Sequence, residues 1–437
     1  MKEKLIVSIA DFGAVQNDEL QTDKIQAAID YVFTKGGGEV QIPGGKYRCG
    51  GIRLRSRVTL HLLENAYLEG SRNWADYDIC ERDTVEPVPQ TDEYKSALRR
   101  WNHGFIKAID AEDIAIIGEA NSVIDGRDCY DPQGEEGFRG PHAVNMFFCR
   151  NVTFRGYTIK DSANWAHCIF YTNNIDARNL TVLGGHDGFH VRGCNNIMVE
   201  DCVFHTGDDC IAGYADINMI VRRCDFNTSC SSLRLGGTNV LVEDCKAWTP
   251  AIYGHRYTMT KEEQAAMMPT NEKHRHTTLG FLTYLSDLGV PMQAEPGNMI
   301  LRNITVDGHD RFYQFNFSGS DKWQKGTGVK NVRFENMKVS NIHMPIVAYA
   351  EESLPTVMEM RNVDFSFAPD CPADMDPIQA GNFERLSFHN VSFHNVGADH
   401  LIRAWGNQGI LETDGLTVDG DKELIVTADK EFASADV

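Results

Sequence analysis

Apolar and polar residues alternate along this chain in short runs, and the runs that open with asparagine recur at a nearly fixed interval. Asn151, Asn174, Asn196, Asn218 and Asn239 each begin one, at steps of 23, 22, 22 and 21 residues. Six positions after each stands a second column: Tyr157, Leu180, Cys202, Cys224 and Cys245. Between the columns the residues alternate with the period of two of a β-strand. Less regular members of the series occupy 298–304 and 331–337, and others end at Val363 and Val391.

A repeat of about 22 residues that holds no helical pattern is a coil of short strands. One such coil cannot bury its own apolar side chains, so successive coils must stack and share a core. The pattern therefore predicts an all-β fold, a single parallel β-helix domain over residues 1–437. Like residues should stack about 4.8 Å apart, the strand spacing of a sheet. Asparagine suits the turn because it tolerates left-handed backbone angles and its amide can bridge to the next coil. The Cys202, Cys224, Cys245 column reads as small apolar filler inside the cylinder.

Two segments depart from the repeat. Ile25, Ala28, Ile29, Val32 and Phe33 follow helical spacing, with Thr22 or Asp23 able to cap the start and residues 36–38, all glycine, able to end it. This predicts a short N-terminal capping helix that, with the first coil, fills 1–45. Residues 250–297 break the repeat and read as a long insertion over the cleft.

Composition narrows the function. The chain has 437 residues, 42% hydrophobic and 24% charged, ordinary for a globular protein with a large core. No run approaches the length of a membrane span. Lys and Arg number 42 against 62 Asp and Glu, a net charge of -20, which disfavours nucleic acid and anionic membranes as partners. An acidic substrate would need a local basic site. The N-terminal segment has too short an apolar run for a secretory signal, so a cytoplasmic protein is expected, and its 12 cysteines are expected to be reduced.

The candidate chemistry lies on two neighbouring coils. Residues 184–191 (Gly-Gly-His-Asp-Gly-Phe-His-Val) and 206–212 (Thr-Gly-Asp-Asp-Cys-Ile-Ala) occupy equivalent positions, since 208-187=21 and 209-187=22. Asp187 and Asp209 should stack on adjacent rungs with Asp208 beside them. Alternation turns His190 outward, and one further step of 22 adds Ser231 and Arg234. Carboxylates brought together repel, which should hold a proton on at least one, and a protonated acid beside an ionised base is what glycosidic cleavage requires. Clustered carboxylates are equally the natural ligands of calcium, and an isolated Asp-Asp pair can simply stabilise a turn.

At these residues the chain resembles family 28 of the glycoside hydrolases, the polygalacturonase family. The resemblance runs over roughly 8–245, through residues 11–14 (Asp-Phe-Gly-Ala), 36–47, 122–126, 139–142 (Arg-Gly-Pro-His) and 161–165 (Asp-Ser-Ala-Asn-Trp). The family's Asn-Thr-Asp motif resembles Gly185, His186 and Asp187, and its Asp-Asp motif resembles Asp208 and Asp209. The resemblance implies a right-handed, pectin-lyase-like solenoid and inversion at the anomeric centre without cofactor or metal. It makes Asp208 the general acid, with Asp187 and Asp209 activating water. It also implies an oligosaccharide partner related to pectin or another plant-cell-wall glycan, with exo action suggested by the insertion. Two departures mark a divergent member: Ser231 stands where the family has its Gly-His-Gly histidine, and the Arg-Ile-Lys motif has no counterpart in the next coil. Candidate substrate contacts are His190, Arg234, Ser231 and Trp165, which lies 22 residues before Asp187, together with His255, Arg256, His276 and Arg311. The alternatives are a Ca2+-dependent β-helix lyase or epimerase and a non-catalytic carbohydrate-binding β-helix. The sequence carries no sign of oligomeric state.

Overall fold

The computed structural model describes residues 4–77, 103–135, 137–255, 277–284, 294–316 and 328–428. Strands dominate, and the named strand pairings within the two compact units described below are parallel, each laying one coil on the next. This is the parallel β-helix that the repeat predicts.

The asparagine columns carry the register. Asn174 donates its side-chain amide to Asn151 at 2.9 Å and Asn196 to Asn174 at 3.0 Å. Further on, Asn239 donates to Asn218 and Asn298 to Asn239, each at 3.0 Å. All of these asparagines have φ between 53° and 60°, the left-handed region that asparagine tolerates better than most residues. The side chain that permits the turn thus also ties each turn to its neighbour. Cys202, Cys224 and Cys245 are buried as filler, and no disulfide joins the eleven described cysteines.

The coils group into two compact units. One holds the chain up to Asp208 together with the 253–255 segment of the insertion; the other holds Asp209–Ile252 and the later coils. In the first, the Thr22–Thr34 helix buries Ile25, Ala28, Ile29 and Val32 against the first strands. Its start differs from expectation, because Gln21 holds the capping position without a side-chain capping bond and the Thr22 hydroxyl instead accepts Gly50 N–H at 2.8 Å. Phe33, on the flank of the stripe, is 37% exposed. In the second unit, the 250–297 stretch proves not to lie wholly outside the repeat. Its Thr278–Tyr284 strand pairs with Ser231–Glu243 on one side and His309–Asn316 on the other, forming a full rung. It lacks the opening asparagine, which is why the repeat passes over it.

Candidate active site

In the first unit, the Thr181–Gly184 and Val203–Thr206 strands pair in register and deliver Asp187 and Asp208 on successive turns. Both are almost fully buried, at 4% and 3% exposure, and each offers a carboxylate oxygen within 4.8 Å of the other. The turn before Asp208 must be tight. A Cβ on Gly207 would lie 1.9 Å from the Gly254 carbonyl oxygen and 2.7 Å from that of Gly185. Glycine therefore lets the start of the insertion seat directly on this turn. The seating brings His255 Nε2 to 3.6 Å from Asp208 Oδ1, while Arg139 Nη2 lies 3.6 Å from Oδ2. Arg139 is itself 4% exposed and donates to Asn164 Oδ1 at 3.1 Å.

Asp187 has a support of its own. The Nδ1 of His190 is 2.6 Å from Asp187 Oδ2, and Arg192 Nε donates to His190 Nε2 at 3.1 Å. A guanidinium can only donate, so Nε2 must accept, which leaves the ring proton on Nδ1 pointing at the carboxylate. The imidazole stacks on Trp165 at 3.8 Å between centroids and 8° between planes, and the Arg192 guanidinium lies over the same indole at 5.2 Å. Two of the residues expected to meet substrate are thus committed to the wall: Trp165 is 5% exposed with His190 on its face, and His190 has both nitrogens engaged. Beside Trp165, burial and the Arg139 charge push the His142 imidazole down to about 3, keeping it neutral at neutral pH.

In the second unit, Asp209 is 2% exposed. Its Oδ1 accepts Ser231 N–H at 3.0 Å, and Arg234 Nη1 lies 3.7 Å from Oδ2. The Ser231 hydroxyl faces Thr283 Oγ1 at 3.2 Å, so it serves the wall rather than replacing an imidazole. Register places Ser231, Gly280 and Arg311 in one column and Arg234, Thr283 and Gln314 in another. Arg256 and His276 lie outside the described residues.

Each of the three carboxylates therefore has a cationic or N–H partner. Sequence reasoning missed Arg139 beside Asp208 and Arg192 behind His190. Arg139 sits about three coils before Asp208, and only its place in the Arg-Gly-Pro-His motif hinted at it. Arg192 follows His190 by two residues, the spacing of one strand face, and could have been found from that.

Residues 89–231 match the family model described as Glycosyl hydrolases family 28. Among curated proteins, the chain is 27% identical over 218 residues to a probable polygalacturonase of Vitis vinifera, covering 47% of this chain and 43% of that one. It is 26% identical over 255 residues to an exo-poly-alpha-D-galacturonosidase of Dickeya chrysanthemi, covering 47% and 41%. The matched stretch thus spans less than half the length of either relative. Among solved structures, the fold is shared with a hyperthermoactive exopolygalacturonase from Thermotoga maritima, at a TM-score of 0.65, 16% identity and coverage of 89% and 91%.

Proposed function

We propose that the chain is a polygalacturonase-like member of glycosyl hydrolase family 28 and that it hydrolyses α-glycosidic bonds in a pectin-related oligosaccharide, acting from a chain end. The observation that carries this reading is the pair of buried carboxylates, Asp187 and Asp208, with oxygens within 4.8 Å on successive turns. A fold gains nothing from stacking like charges, whereas an acid beside a base can cleave a glycoside. Asp208 passes its proton to the glycosidic oxygen as the bond to the anomeric carbon breaks. Asp187 takes the one proton that the water gives up as its oxygen attacks that carbon, a water-activating role that the resemblance also gives to Asp209. Arg139 and His255 hold the Asp208 carboxyl in place, and His190 holds Asp187. The exo mode draws support from the named activity of the Dickeya relative and from the insertion seated on Gly207. The right-handed winding follows the usual hand of parallel connections.

Inversion is what family membership implies. Carboxyl groups about 5–5.5 Å apart ordinarily go with retention and about 6.5–9.5 Å with inversion. The anomer first released, read by NMR, decides between them. The hydrolase reading itself is tested by reducing-end release from pectic oligosaccharides, with Asp208→Asn as control. Turnover should fall by about 10²- to 10⁴-fold in the variant. Unimpaired turnover refutes the role of Asp208. An unsaturated product absorbing in the ultraviolet and abolished by EDTA would instead make the protein a lyase.

A further inference from the structure

Arg192 follows His190 by two residues, at the end of the Phe189–Arg192 strand, and is 3% exposed. Its guanidinium carbon lies 4.8 Å from the ring centre of Phe170 and 5.2 Å from that of Trp165. Phe170 is its partner on the preceding rung, so the cation is seated on two aromatic rings of the preceding coil. From that seat Nε donates to His190 Nε2 at 3.1 Å, while His190 Nδ1 lies 2.6 Å from Asp187 Oδ2. Three side chains of one turn thus form a line, cation to imidazole to carboxylate, with the imidazole flat on Trp165. Packing alone would not ask for arginine between Trp165 and Phe170, where an apolar side chain would cost less to bury.

The hydrogen bond settles the tautomer, and the charge behind it settles the protonation state. A histidine beside a carboxylate ordinarily holds a second proton above its usual pKa of about 6.5, because the carboxylate favours imidazolium. Here the nitrogen that would take that proton faces a guanidinium, which cannot accept a hydrogen bond and stays charged. Protonation would lose the Nε bond and set two cations side by side among buried residues. Within the first unit, the titratable and charged groups around the ring are Asp187, with Asp208 beyond it, Arg192, Cys168 on the preceding rung, and His142 across Trp165. The two carboxylates favour imidazolium, whereas Arg192 opposes it at hydrogen-bonding distance. The consequence falls on Asp187. A neutral N–H aims a carboxylate and leaves it basic, while an imidazolium in its place would lower the carboxyl pKa by about 1–3. A base so weakened takes less of the water's proton in the transition state.

We propose that Arg192 is a positioning residue of the hydrolytic site: it holds His190 uncharged, so that Asp187 is aimed by a hydrogen bond without being paired to a cation. It acts through His190 rather than on the reacting atoms. The role in turnover rests on the reading of Asp187 as the base of a glycoside hydrolase; the charge state of His190 does not.

The test is a pair of titrations on the full chain. In nitrogen NMR of the histidine side chains, with the His190 signal assigned by its loss in His190→Asn, the parent ring should show no protonation between about pH 5 and pH 8. In Arg192→Met the ring should take up its second proton at or above about pH 6.5. In Arg192→Lys, which keeps a cation within reach of Nε2, it should again stay neutral. The rates should divide in the same way. Relative to the parent, Arg192→Met should lose kcat on the order of 10-fold near pH 5 and less than about 3-fold near pH 9, whereas the Arg192→Lys ratio should not change with pH. The proposal is overturned if His190 protonates in the parent over that range, if it stays neutral in Arg192→Met, or if the methionine variant loses kcat by one factor at every pH. The parent titration decides even where a variant folds poorly. A neutral His190 in a chain that releases no reducing ends would refute the hydrolase reading and leave the hold of Arg192 on the imidazole standing.

Discussion

Replacing His190 by alanine removes two things that the structure separates. The first is the 2.6 Å hydrogen bond from Nδ1–H to Asp187 Oδ2. A hydrogen bond to a charged group contributes about 1.5–3 kcal/mol, so if the bond orients Asp187 for its work, kcat should fall by about 10- to 100-fold. The second is the 3.8 Å stack on Trp165, worth about 0.5–1.5 kcal/mol beyond the area buried, which should lower the melting temperature. Asparagine tells the two apart: its side-chain N–H can donate near the place of Nδ1–H, but it cannot stack as a ring does. His190→Asn should therefore recover most of kcat while keeping the lower melting temperature, with KM nearly unchanged in both variants. Steady-state kinetics on the cleaved oligosaccharide and thermal melts of the same preparations supply the readings. If alanine leaves kcat intact, or if asparagine and alanine lose it equally, His190 is a packing residue and the orientation argument fails.

Two further perturbations follow from distances on the same wall and from the first coils. Gly207→Ala would force its Cβ into the Gly254 carbonyl oxygen at 1.9 Å, so it should displace the segment bearing His255 and cut kcat at least tenfold; full activity would show that His255 is dispensable. At Glu39, burial alone would raise the carboxyl, but hydrogen bonds from His61, Gln41 and Lys4 outweigh it and bring it from 4.5 down to about 2. A depressed folded-state value means that the stabilisation is whole above about 4.5 and is lost as pH falls toward 2. Glu39→Gln should cost on the order of 1–3 kcal/mol in denaturant melts at pH 7 and almost nothing near pH 2, and a cost independent of pH would contradict the assignment.

How much of this could be read from the sequence depended on whether a residue's role was set by its own coil or by a distant one. The asparagine columns were legible because a positive φ and a ladder bond fall on the same side chain, so one residue type marks every turn. Asp187, Asp208 and Asp209 were legible because a register of 22 residues converts sequence spacing into height along the stack. Arg139 was not, since it meets Asp208 across 69 residues and only folded geometry brings it to 3.6 Å. Nor was the fate of Trp165. Spacing placed it on the rung below Asp187 correctly, but spacing says nothing of which neighbour covers a face, and His190 covers this one. The Thr278–Tyr284 strand was hidden for another reason. It pairs as a rung without the marker asparagine, so periodicity read from that marker skips it.

The geometry of the wall also explains why the carboxylates arrive already partnered. Contacts between residues three apart recur in both units. His190 reaches Asp187 at that spacing, and in the other unit Gln314 reaches Arg311 in the same way, while a Cβ on Gly280 would meet Thr283. In each of these pairs one residue is held by another three positions on. A mutation in the first changes which chemistry is presented, and one in the second changes how firmly it is aimed. Within the first unit, Asp208 meets an imidazole from Gly254's neighbour His255, 3.6 Å from Oδ1. If that contact aims the carboxyl, His255→Ala should lower kcat by about 10-fold in steady-state assays. If the variant keeps full turnover, the loop's hold on Asp208 is structural.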